Sequence, residues 1–138
     1  MVKMYSISTI RKKVREFGKK INAPKHLLIV RSSSDELGNP HIEVDENGYN
    51  FVVSERGKEF ERKKTKDINI LLYWIFKSIV FIMASEYELE NRSPNEDFRI
   101  QLFTKQIELM EKLDSKFAQW NKEEIDKILE ESPYDDNS

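Results

Sequence analysis

Ile7, Ile10, Val14, Phe17 and Ile21 recur at three- and four-residue spacing, which stacks them on one face of a helix that begins after a cap at Ser6 or Ser8. The run HLLIVRS, His26 to Ser32, is apolar and rich in strand formers and predicts a strand covered on both faces. His41 to Asp45 and Tyr49 to Val53 alternate around Glu46-Asn47-Gly48, where Asn-Gly signals a hairpin with positive φ at both turn positions. That loop sets Ile42 opposite Val53 and Val44 opposite Phe51. A second turn at Arg56-Gly57 returns the chain as KEFERKKT, a charged and therefore protected edge strand with Phe60 alone to bury.

After Asp67, a plausible N-cap, an apolar run continues through Leu71, Trp74, Phe76 and Val80 to Ala84, meets Glu86, Glu88 and Glu90, and is broken near Pro94. A third helix is expected from near Asp97 to about Trp120, with Leu102, Phe103, Ile107, Leu109, Met110, Leu113 and Phe117 on a broad apolar arc. Asn121 is expected to open a short fourth helix carrying Ile125, Ile128 and Leu129, and residues 132–138 to fray. The pattern predicts an α+β fold: an N-terminal amphipathic helix, a small antiparallel sheet of three to four strands, a long buried helix and two further helices. All of it fits one domain over residues 1–138.

The long apolar run also resembles a membrane span, but a span needs about 20 mostly apolar residues and Ile70 to Ala84 is shorter, with Lys77 and Ser78 at its middle. It reads as a core helix, and Lys77 must then reach solvent or an acid. With no cysteine, disulfides, thiolate nucleophiles and cysteine-bound zinc are excluded, which suits a reducing cytoplasm. No secretory leader is readable at the N-terminus, and a cytoplasmic protein is expected.

The net charge of −2 conceals a gradient: residues 1–31 carry +8, 32–66 carry −2, 67–104 carry −3 and 105–138 carry −5. In the first helix Arg11, Lys12, Lys13, Arg15, Lys19 and Lys20 spread around the arc opposite the apolar face, as a solvated surface does. A nucleic-acid-binding module built on this segment is the competing functional reading.

Candidate chemistry is sparse. His41, Glu43 and Asp45 alternate on one strand face, but three ligand types on one short strand do not make a recognised cage, and neither metal nor cofactor is expected. His26 has no partner motif and reads as a strand-end residue. No phosphate loop or nucleophile elbow is present. Helical projection places Arg99 and Gln106 inside the apolar arc of the third helix, and an inward arginine demands a partner. Glu88, Arg92, Asp97 and Arg99 are therefore expected to form a structural ion-pair cluster fastening the second helix to the third; an enzyme site there would need an accessible pocket.

Gly48-Tyr49, Glu55-Arg56-Gly57, the YWIF of Tyr73 to Phe76, Met83-Ala84, the YELENR of Tyr87 to Arg92 and the DFR of Asp97 to Arg99 stand in an order and spacing that resembles the immunity protein 63 family of bacterial polymorphic toxin systems. The similarity spans roughly Ile42 to Ile128, leaving the basic first helix outside it. The resemblance implies an α+β fold with a conspicuous Trp and Arg, here Trp74 and Arg92 or Arg99, Trp74 being the core aromatic. It implies an antitoxin that acts without catalysis, by stoichiometric binding of a cognate toxin domain in the producing cell's cytoplasm. The acidic C-terminal helices, with Glu108, Glu111, Glu123 and Glu124, and the polar face of the strands are where that partner would be sought.

Overall fold

Ser6 accepts a hydrogen bond from the Thr9 amide at 3.2 Å, and this cap starts α1, Ile7–Lys20, in a computed structural model that describes residues 3–135. The helix ends in a Schellman motif: Ala23 N–H donates to the Gly18 carbonyl and Asn22 N–H to that of Lys19, with Asn22 left-handed at φ 52°. Ile10 and Val14 are fully buried, each worth about 1.5–3 kcal/mol of burial free energy.

The expected strand over residues 26–32 is not formed. Lys25–Leu27 is a single 3-10 turn with His26 exposed, and the segment is hydrogen-bonded to the sheet where Ile42 N–H donates to the Arg31 carbonyl at 2.8 Å. Pro24 precedes the turn and starts it, and of the apolar run Val30 is buried while Ile29 stays exposed.

The sheet is antiparallel in the order β1 (Leu37–Asp45), β2 (Gly48–Glu55), β3 (Lys58–Thr65). Ile42 pairs with Phe51 and Val44 with Tyr49, a register two residues tighter than the Asn-Gly signal predicts. A shift of two leaves every side chain on its expected face. The turn residues are Glu46 and Asn47, and neither has positive φ; Gly48 does, at φ 143°, as the first residue of β2. A Cβ there would lie 2.7 Å from the Thr65 carbonyl oxygen, so the close approach of β3 itself requires glycine. Positive φ at both turn positions occurs instead at Arg56 (52°) and Gly57 (78°), as in a type I′ turn. Phe60, expected to be buried, is exposed on β3.

Asp67 caps α2, Ile68–Glu90, through the Asn69 amide at 2.8 Å. This helix is long and apolar enough to cross a membrane by length and composition, and its residues Leu71, Leu72, Tyr73, Phe76, Val80 and Ala84 are buried within the protein. The chain divides into two compact units within α2, at Ile75 and Phe76. The first holds α1, the sheet and the start of α2, with Tyr49, Phe51, Val52, Ile42 and Leu71 in its core. The Tyr49 hydroxyl accepts from the Tyr5 amide at 2.7 Å, satisfying its buried polar end.

In the second unit α3, Phe98–Leu113, and α4, Ser115–Glu131, pack together, with Ala84, Leu102, Phe103 and Ile125 in one core cluster. The break between them falls at Asp114, seven residues before the expected opening at Asn121. Asp114 takes an extended backbone, and its side chain accepts from the Lys116 amide at 2.7 Å, capping α4. Asn121 is consequently buried inside α4. Lys77 reaches an acid, pairing with Glu124.

Candidate functional site

The alternation of β1 and β3 gathers polar residues on one face of the sheet. The register places His41, Val52 and Arg62 in one row and Glu43, Asn50 and Lys64 in the next. His41 Nε2 donates to Glu43 Oε2 at 2.9 Å, and Glu43 Oε1 accepts from Arg62 Nη1 at 2.9 Å. The other edge of the Arg62 guanidinium grips Glu59 bidentately at 2.8 and 3.1 Å. Asn50 Nδ2 donates to Asp45 Oδ2 at 3.1 Å, and Lys64 approaches the same oxygen at 3.4 Å. Arg62 and then His41 hold the Glu43 carboxyl below the usual range; Arg62 does the same for Glu59. Asp45 is lowered first by the Asn47 amide and then by Asn50 and Lys64.

Each of these carboxylates is thus ionised and occupied, so none is poised as a general base near neutral pH. Arg62 and Glu59, which join the network together, lie in the strand read only as a charged edge; their signal was the alternation of charge beside that of His41, Glu43 and Asp45. Among the described residues no group of three or more His, Asp or Glu is placed to hold a metal. On the opposite face of the sheet, Trp74 meets Phe51 edge-on at 6.3 Å, and Lys63 Nζ sits 4.9 Å from the Trp74 ring centre.

In the second unit, the four residues read as one cluster form two separate pairs. Arg92, two residues beyond α2, grips Glu88 in its last turn bidentately at 2.8 and 2.9 Å. This cation offsets the acids at the negative end of the helix dipole and keeps the Glu88 carboxyl low. Arg99 pairs with Asp97, at 2.8 Å from Oδ2, at the start of α3. Neither pair spans α2 and α3, because each arginine lies within four residues of an acid it reaches along its own segment.

Instead the Arg99–Asp97 pair holds the C-terminal segment. Arg99 Nη1 donates to the Ser132 carbonyl and Nη2 to that of Pro133, each at 2.9 Å, and Asp97 Oδ2 accepts from the Asp135 amide at 2.9 Å. Residues 132–135, expected to fray, are tied down; 136–138 lie outside the described residues. An open cavity of about 540 Å³ flanks this latch, lined by Arg92, Glu96, Asp97 and Arg99 among others. Asp97 is held well below the ordinary carboxylate range, first by Arg99 and then by the Asp135 and Arg99 amides. The cavity therefore offers an anchored ion pair whose Asp97 carboxylate is not poised as a general base near neutral pH.

The four acids singled out on α3 and α4, Glu108, Glu111, Glu123 and Glu124, differ in availability. Glu108 is shared by Lys105 and Lys112, and Glu124 pairs with Lys77, whereas among the described residues Glu123 accepts only a 3.4 Å bond from Gln119. Glu111 is exposed and has no polar partner among the described residues.

No curated protein and no solved structure matches the chain. The sequence model of the family described as immunity protein 63 matches residues 45–127, from the end of β1 through β2, β3, α2 and α3 into α4. The match takes in more than half of the chain, and the protein belongs to the immunity protein 63 family.

Proposed function

We propose that this protein is an immunity protein that binds and neutralises a cognate polymorphic toxin domain, by stoichiometric association in the cytoplasm of the bacterial cell that makes both. The observation that carries the reading is the family match over residues 45–127. The reading needs no catalysis, and it agrees with a sheet-face network and a C-terminal latch whose carboxylates are already engaged by cations and amides. The first contacts to test are Glu111 and Glu123, whose charges are less compensated than those of Glu108 and Glu124, followed by Glu108 and Glu124. Such acids complement the basic groove of a nuclease-type toxin.

The test is co-expression with the toxin domain encoded by the neighbouring reading frame. Growth should be restored by the wild-type protein and reduced by Glu111→Lys with Glu123→Lys. Undiminished rescue by the double variant removes the acidic surface as the main contact, and no rescue by the wild type removes the reading.

A further inference from the structure

Of the six cations on α1, Arg11, Arg15 and Lys19 recur every fourth residue and line one rim of an open groove of about 830 Å³, with Lys25 also at its wall. Its floor is aliphatic: Leu28, Ile29 and Val30, with Ile29 56% exposed. Gly18 lets Leu28 pack directly against α1, because a Cβ there would lie 2.5 Å from a Leu28 methyl. The Arg11 Nε donates to the Val30 carbonyl at 3.0 Å, tying the rim to the floor. None of the four cations has an acidic partner among the described residues. Concave apolar surface of this size ringed by uncompensated positive charge is matched by apolar side chains flanked by carboxylates.

Other anionic surfaces fit less well. Among the described residues no aromatic ring lines the groove to stack a base, which is the main sequence-tolerant source of single-strand affinity. A membrane surface would need the apolar face of α1, and Ile10 and Val14 on that face are buried in the protein.

We propose that this groove is a docking site for an acidic peptide segment of a partner protein, its carboxylates on Arg15, Lys19 and Lys25 and its aliphatic side chains against Leu28 and Ile29. The groove lies entirely before residue 45, outside the segment that carries the family match, so the proposal does not rest on toxin neutralisation.

The experiment is fluorescence anisotropy on the full chain at about 0.15 M salt, where exposed charges more than about 8 Å apart are largely screened. The probe is a labelled peptide of alternating glutamate and leucine. Saturable binding is expected, weakened at least about tenfold by Arg15→Glu with Lys19→Glu, and also weakened by Ile29→Asp, which removes an apolar contact at an exposed position. Circular dichroism of both variants confirms that α1 is retained. The proposal is overturned by absence of saturable binding, by equal binding of a peptide with serine in place of leucine, or by a single-stranded DNA oligonucleotide that displaces the peptide at equal concentration. Toxin rescue by the same variants is scored separately, so failure of the groove and failure of the immunity reading give different results.

Discussion

Arg99 Nη2 lies 2.8 Å from Asp97 Oδ2, and through that pair the start of α3 holds the chain's last described residues. Replacing Arg99 with Ala leaves the Ser132 and Pro133 carbonyls without their donor and Asp97 without its cation. We expect the C-terminal segment to detach, with faster amide exchange at Asp135, faster carboxypeptidase trimming and a melting temperature lowered by a few degrees. Arg99→Lys should recover only part of the protection, because an ammonium does not reproduce the planar fork that reaches three acceptors.

The same pair sets a pH dependence. The folded-state pKa of Asp97 is depressed, so its stabilisation is fully present above the unfolded value of about 3.9 and is lost as pH falls through the lower folded value. Urea midpoints of wild type and Asp97→Asn should differ most above about pH 4 and converge below it. Asn can keep the cap on α3 with its one amide oxygen but gives up the charge and the second acceptor, so the assignment rests on the part of the difference that falls with pH, and a difference independent of pH would contradict it.

Gly48 and Gly57 should respond differently to alanine. Both have positive φ, but a Cβ at Gly48 meets the Thr65 backbone at 2.7 Å whereas one at Gly57 meets nothing within 4 Å. Gly57→Ala is expected to cost about 1–2 kcal/mol from left-handed strain alone. Gly48→Ala should cost more, about 3 kcal/mol or above, because β3 must also move. Equilibrium urea denaturation of both variants measures the order.

Asp114→Ala removes the acceptor of the Lys116 amide and should cost about 1 kcal/mol, while Asp114→Asn should be within a few tenths of wild type. Differential scanning calorimetry distinguishes these values.

The parts of this fold that were legible were those with a local chemical cause. Ser6, Asp67 and Asp97 each cap a helix with a side-chain oxygen, and Arg56-Gly57 closes a tight hairpin. The break at Asp114 was hidden because Leu113 and Phe117 keep the helical period across it, with no Gly or Pro to interrupt. The hairpin register differs from the one Asn-Gly predicts because the demand for glycine at Gly48 comes from Thr65, a neighbour distant in sequence. Residues 26–32 carry strand composition, but strand formation is decided by pairing, and the segment pairs with β1 as an isolated bridge at Arg31.

The candidate surfaces were legible by residue and not by partner. Each of Glu88, Arg92, Asp97 and Arg99 is ion-paired, yet pairing within each segment left no bridge between α2 and α3, and the acceptors in residues 132–133 are backbone carbonyls that no pattern announces. The groove beside α1 was hidden because Leu28, Ile29 and Val30 looked like buried strand residues.

The central claim is tested most directly by titrating the purified protein into a fixed amount of the toxin domain encoded beside it and following toxin activity. The account predicts linear loss of activity to an end point at equimolar protein, with an equimolar complex on gel filtration. Complete inactivation by a small fraction of an equivalent, growing with time, or unaltered activity at excess, would contradict it.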